Sequence, residues 1–147
     1  MTWKLLHEAG GQKTFILVFA TGDEVMSGLE AFAREQGLAA AHFTAIGAFS
    51  EADLGYFDWE KKDYQRIPVQ EQVEVLTLAG DVAVNEDGGS QLHAHVVLGT
   101  RSGEARGGHL LEARVRPTLE VVLVESPSHL QKRMDPETGL ALIRPQD

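Results

Sequence analysis

Residues 14-TFILVFATGDEVMSGLEAFAREQG-37 carry the clearest helical pattern of the chain, and it follows directly on an apolar run. Thr14 to Ala20 is continuous in β-formers, the pattern of a strand buried on both faces. Thr21 and Glu24 stand at capping-box spacing, which predicts a helix over about 22–36. Val25, Met26, Leu29, Phe32 and Ala33 recur on one side of it, and Gly37 suits its end. Gly28 in its middle costs stability relative to alanine and points to close packing against a sheet.

Beyond Ala40 the pattern is β. Strands are expected near 41–50, 52–59, 64–68, 73–84, 91–98, 109–115 and 119–125. Over 73–84, Leu76, Leu78, Gly80, Val82 and Val84 are expected to share a face, and 86-EDGGS-90 turns that strand into the next. Residues 59–63 read as a polar hairpin tip and 135-DPETG-139 as a turn, with Leu140, Leu142 and Ile143 tying down the end. One helix among six to eight mostly adjacent strands predicts an α+β fold with an antiparallel sheet. No repeat or linker divides residues 1–147, so one domain is expected.

The chain has 147 residues, no cysteine, 13 basic and 22 acidic side chains, and a net charge of −9. Without cysteine, disulfides and thiolate metal sites are excluded, so any metal is held by His, Asp or Glu. The start is too polar for a signal peptide and no apolar run spans a bilayer, so a cytoplasmic protein without membrane contact is expected. The acidic balance opposes nucleic-acid binding. Locally, Arg101, Arg106, Arg114 and Arg116 outnumber Glu104 and Glu112, a modest basic patch or simply a solvated strand edge.

Three of six histidines fall in 92-LHAHVVLGTRSGEARGGHL-110. On a strand His93 and His95 point to one face, and a hairpin return brings His109 to that face if the loop has an odd number of residues. A loop centred near Arg101 opposes His93 to His109; one centred near Gly103 opposes Val97 to it. Three imidazoles around one point can hold a divalent transition metal with a fourth position open, zinc being the favoured ion. They can equally be hydrogen-bonded structure. Glu120, inside the apolar strand 118-TLEVVLVE-125, and Glu104, on the loop, are the carboxylates that could support a metal-bound imidazole. His42 reads as a core residue, and His7 and His129 as surface. The glutamate of cupin barrels is missing after His95, where Gly99 and Thr100 stand, and the HExxH and Gly-x-Ser-x-Gly motifs are absent.

Taken together, 15-FILVFATGDEV-25, 43-FTAIGAFSEADLGYFD-58, 74-EVLTLAGDVAV-84, 92-LHAHVVLG-99, 106-RGGHLLEARV-115 and 118-TLEVVLVE-125 resemble the PPC (plant and prokaryote conserved) domain in its stand-alone prokaryotic form. The resemblance covers nearly the whole chain. It implies a strongly bent antiparallel sheet with few helices, a homotrimer, and zinc or another divalent metal on His93, His95 and His109. It also implies kinship with plant proteins in which the domain follows an AT-hook. That DNA-binding arm is missing here, since Arg114-Val115-Arg116-Pro117 lacks its glycine. Two functional expectations follow: a metal-bearing binding or regulatory module associated with itself and conceivably with DNA, or a hydrolase-like metal enzyme with Glu104 or Glu120 as general base.

Overall fold

A computed structural model describes residues 1–126, 128 and 130–145. In chain order these form β1 (Thr2–Ala9), β2 (Gln12–Ala20), α1 (Val25–Gln36), β3 (Ala40–Asp58), β4 (Asp63–Val69), β5 (Val73–Val84), β6 (Ser90–Gly99), β7 (Ala105–Glu125), β8 (Lys132–Met134) and β9 (Ala141–Ile143). The first seven strands make one antiparallel sheet in the order β1-β2-β7-β6-β5-β3-β4, and β8 pairs with β9 separately. The expected α+β class with a bent antiparallel sheet and one main helix is what forms. Among the described residues no helix is long and apolar enough to cross a membrane.

Two long strands organise the sheet. One edge of β3 pairs with β5 and then β4, and its other edge pairs with β7. In the same way β7 lies between β3 and, on its far edge, β2 and β6. Because β5 also pairs with β6, the circuit β3–β5–β6–β7 returns to β3. A sheet that closes on itself must curve, and bulges supply the bends. The β3–β7 register shifts on both sides of Phe49, and that of β3–β5 shifts between Ala45 and Gly47. Gly47 has φ of 154°, and a Cβ there would stand 2.2 Å from the Thr118 carbonyl oxygen. Only glycine fits that approach.

These bends explain how strands expected to be separate are joined. Glu51 and Pro117 fall in the gaps between those expected strands. In the fold β3 runs on through both expected strands 41–50 and 52–59, and β7 through 109–115 and 119–125. Pro117 lies where the β3–β7 register skips, so its missing N–H costs no ladder bond. The first strand, β1, has no counterpart among the expected elements, since all its residues are exposed and show no alternation. Its signal is the turn: Gly10 and Gly11 both take positive φ, 59° and 79°, as a tight two-residue hairpin requires.

The inner face of the sheet packs against α1. Val25, Leu29, Phe32 and Ala33 of the helix are buried with Phe15, Leu17, Phe19, Phe43, Leu78 and Leu119. Gly28 meets Phe19, whose ring edge would stand 2.5 Å from an added Cβ, so the expected close packing is there. Trp3 lies edge-on to Phe15 and Phe32 and closes one end of the core. Two expectations about burial need correction. The run Thr14–Ala20 is buried on one face only, because Val18 stays 37% exposed. In β5 a bulge between Val75 and Thr77 turns Leu76 outward, 55% exposed, while Val75, Leu78 and Val82 point in.

The helix start also differs from its expected form. It begins at Val25, with Glu24 itself as the cap. The Glu24 carboxylate accepts from Met26 N (3.1 Å), Ser27 N (2.7 Å) and Ala113 N of β7 (3.2 Å), so one side chain caps α1 and ties it to the sheet. Thr21 instead donates to the Pro117 carbonyl at 3.2 Å. The left-handed Gly37 ends the helix as expected. Burial pushes the Glu24 carboxyl up, but these N–H groups outweigh it and hold it below the ordinary carboxylate value. A depressed folded-state value stabilises the fold above the unfolded value of about 4.3 and loses that contribution as pH falls through the lower folded one. Glu24→Ala is therefore expected to lower the unfolding free energy by about 1–2 kcal/mol at neutral pH. In urea titrations the gap from the parent should narrow as pH falls through the lowered folded-state value, where the parent loses the charge.

Candidate metal centre

The hairpin between β6 and β7 decides whether the histidines meet. Gly99 pairs with Ala105 and His95 pairs with His109, so the loop is odd in length and centred on Ser102. The loop thus meets the condition for a shared face, and the register falls midway between the two alternatives considered. His93, one strand position beyond, pairs across its other edge with Asp81 of β5. All three histidines stand on the outer face of the sheet, since the alternating Ala94, Val96 and Leu98 point into the core.

Their rings form a compact group. His109 lies between Tyr64 and His93, stacked on each with centroids 4.5 and 5.1 Å apart. His95 meets His93 edge-on at 4.8 Å. The Nε2 atoms of His93 and His95 are 3.2 Å apart, and one nitrogen from each of the three rings lies within 4.8 Å of the others. Two nitrogens bonded at about 2.0–2.1 Å to one tetrahedral ion stand roughly 3.3–3.4 Å apart. The His93–His95 spacing fits a shared ion, and His109 stands within 4.8 Å of both.

Glycines make room for this arrangement. A Cβ on Gly55, which pairs with His109, would stand 2.7 Å from the Tyr64 ring. One on Gly108 would stand 2.8 Å from the Gly55 carbonyl oxygen, and one on Gly107 2.9 Å from that of Val96. The Gly107-Gly108 pair thus lets β7 squeeze between β3 and β6 just before His109.

Behind the rings is a charge pair that sequence reasoning missed. Asp81 Oδ2 lies 3.5 Å from His93 Nδ1, and its Oδ1 lies 2.7 Å from Lys132 Nζ. Lys132 is only 3% exposed, a buried ammonium that requires such a partner. Burial pushes the Asp81 carboxyl up, but His93 and Lys132 prevail and hold it below its usual value. The His109 imidazole is pushed down to about 4, first by burial and then by His93, His95 and Lys132. His95 is lowered too, by burial and by His93. The neutral imidazole favoured in both is the ligand form. Asp81 had a legible signal, a charge in the middle of the otherwise apolar stretch 75-VLTLAGDVAV-84. Lys132 and Tyr64 had none, because distant elements deliver them.

The expected carboxylates are elsewhere. Glu120 is exposed on β7 opposite Val18 and Ile46. That is about eleven residues from His109, on the order of 30 Å of strand. Glu104 stays in the hairpin loop, where its side chain accepts from Ser102 at 3.2 Å. Neither stands in the His cluster. His42 is exposed on the outer face, not in the core, because its neighbours Ala41 and Phe43 take the inward positions. His7 is exposed as expected, and His129 lies outside the described residues.

Known proteins share this architecture. The family described as the Plants and Prokaryotes Conserved (PCC) domain matches residues 6–127. The chain belongs to the PCC-domain family. A plant- and prokaryote-conserved protein from Pyrococcus horikoshii is 29% identical with a TM-score of 0.83, over 99% of this chain and 96% of that one. A protein from Archaeoglobus fulgidus described as metal-containing is 36% identical with a TM-score of 0.82, over 99% of both chains. A Bacteroides thetaiotaomicron structure, named as a candidate DNA-binding protein, is 25% identical with a TM-score of 0.86, over 97% of this chain and 96% of that one. No curated protein matches the chain.

Proposed function

We infer that this PCC-domain protein is a zinc-binding homotrimer acting as a binding or regulatory module, with zinc on His93, His95 and His109. The observation that carries the metal is the triad itself: three imidazoles with one nitrogen each within 4.8 Å of the others, one ring backed by Asp81. A carboxylate behind a ligating histidine orients the ring and raises its basicity. The metal-containing relative from Archaeoglobus fulgidus supports the same reading. Three histidines leave a fourth position open for water or a ligand. Purified protein is expected to carry one zinc per chain by elemental analysis, and His95→Ala to carry none. Asp81→Asn, which keeps the shape but removes the charge, should weaken zinc affinity by about 10–100-fold in a chelator competition.

The homotrimer draws support from the second face of the sheet. Val18, Ile46, Leu76, Val97 and Val122 are all at least 37% exposed there, on five adjacent strands. An apolar face of this extent marks an interaction surface, and the run Thr14–Ala20 has the composition of a strand covered on both sides. Ile46, 62% exposed, is the test. The parent should sediment as a trimer, and Ile46→Glu as a monomer with unchanged far-ultraviolet circular dichroism.

The DNA reading rests on the names of relatives such as the Bacteroides protein. The charges of this chain run against it. Arg66 pairs with Asp53 and Glu112, Arg106 lies 3.9 Å from Glu71, and Arg114 3.9 Å from Glu51. Basic side chains engaged by carboxylates release few counterions from a phosphate backbone. Fluorescence anisotropy with duplex DNA at about 150 mM salt should show binding no tighter than the non-specific range of about 10⁻⁴–10⁻⁶ M. Binding at about 10⁻⁸ M would restore DNA as the partner.

A further inference from the structure

The outer face at the triad is roofed. The C-terminal hairpin β8–β9 lies over β5 and β6, held by the Lys132–Asp81 pair and by Val84 N donating to the Leu130 carbonyl at 2.9 Å. Lys62, from the β3–β4 turn, donates to the Glu137 carbonyl and fixes the far end of the roof. Between roof and sheet is a cavity of about 350 Å³ lined by His93, His109, Tyr64, Asp81, Gln91 and Lys132 on one side. Leu92, Leu140, Leu142 and Ile143 line the rest. That volume is within the roughly 300–1,000 Å³ of small-molecule sites, and apolar walls with a few convergent polar groups are their usual make-up.

The charge of this cavity selects its occupant. A zinc ion on three neutral imidazoles is a dication, and Lys132 adds a buried positive charge that Asp81 alone opposes. An enclosed surplus of positive charge favours an anion. Phosphate is a poor fit, because the lining contains no arginine, no glycine-rich loop and no helix N-terminus, the groups that wrap its oxygens. The apolar wall asks for a hydrocarbon body.

We propose that the cavity beneath the C-terminal hairpin binds a small organic carboxylate, its head at the open position of the zinc beside Lys132 and Tyr64 and its apolar body against Leu92, Leu140 and Leu142. The proposal rests on the zinc reading above. Hairpin and sheet together make the site, so the roof is a binding wall as well as a chain end.

Calorimetry on the zinc-loaded protein tests it, with acetate, butyrate, benzoate and inorganic phosphate as probes. Butyrate is expected to bind once per chain and about ten-fold tighter than acetate, from its two extra methylenes. Benzoate should be at least as tight as butyrate, and phosphate weaker than both. Leu142→Glu, which puts a carboxylate into the apolar wall of the cavity, should abolish butyrate binding and leave zinc uptake intact. Lys132→Met should weaken all four anions; because it can also loosen the hairpin, the Leu142 variant carries the decision. Equal affinity for acetate and butyrate, tightest binding of phosphate, or undiminished butyrate binding by Leu142→Glu would overturn the proposal. Zinc bound by the triad without any carboxylate uptake removes this inference alone, whereas failure to bind zinc removes the metal reading beneath it.

Discussion

The pairing of β3 with β7 constrains everything else in the molecule. Each of these strands has both edges occupied over much of its length, so neither can shift register without breaking two ladders. Register in a sheet with one buried face is also fixed by packing, because a one-residue slip would turn every core side chain outward. Here both constraints act on the same strands. One half of β7 meets β2 and the helix-covered core; the other half meets β6 and delivers His109 opposite His95. The bend between the halves depends on Gly47, where the backbone of Thr118 and Leu119 leaves no space for a Cβ. A substitution at Gly47 would therefore be felt at the histidines through the strand, without touching them.

The triad shows how a sheet can gather three imidazoles on one face without a core of charge. Three imidazoles within a few ångströms repel as imidazoliums, and burial adds to the cost, so the ground state of His109 is neutral. The ammonium of Lys132 is positioned so that Asp81 neutralises it while that same carboxylate faces His93. Removing one member of such a group leaves an uncompensated charge, which costs far more than the pair contributes. Asp81 thus links two things that sequence distance separates: the orientation of an imidazole on β6 and the docking of the C-terminal hairpin.

Much of this was legible in the sequence, and what was not has physical reasons. Helix α1 was readable because its apolar residues repeat at i, i+3, i+4 and end on Gly37, all local facts. The shared face of His93 and His95 followed from the pleat, and His109 could join it given a loop of odd length. The register of that hairpin did not, because an even sum of paired positions is satisfied by several loops and nothing local chooses among them. Bulged strands were read as broken, since Pro117 carries the same signal at a strand end and at a bend, and the polar Glu51 sits where the β3–β7 register shifts. Glu120 was read as buried because its neighbours in sequence are apolar, yet those on its own face, Thr118 and Val122, point outward with it. Asp81, Lys132 and Tyr64 reach the histidines only through tertiary pairing.

The run Thr14–Ala20 carries the remaining lesson. Its composition asks for apolar cover on two sides, and the single chain supplies one, through Phe15, Leu17 and Phe19. The uncovered residues extend from Val18 through Ile46 and Leu76 to Val97, two positions along β6 from His95. The same strand therefore gives its outer face to two purposes, an apolar contact at Val97 and imidazoles at His95 and His93. Beyond His95 the C-terminal hairpin holds the ground over Asp81 and His93, so the exposed apolar stretch and the histidine cluster occupy separate parts of one face.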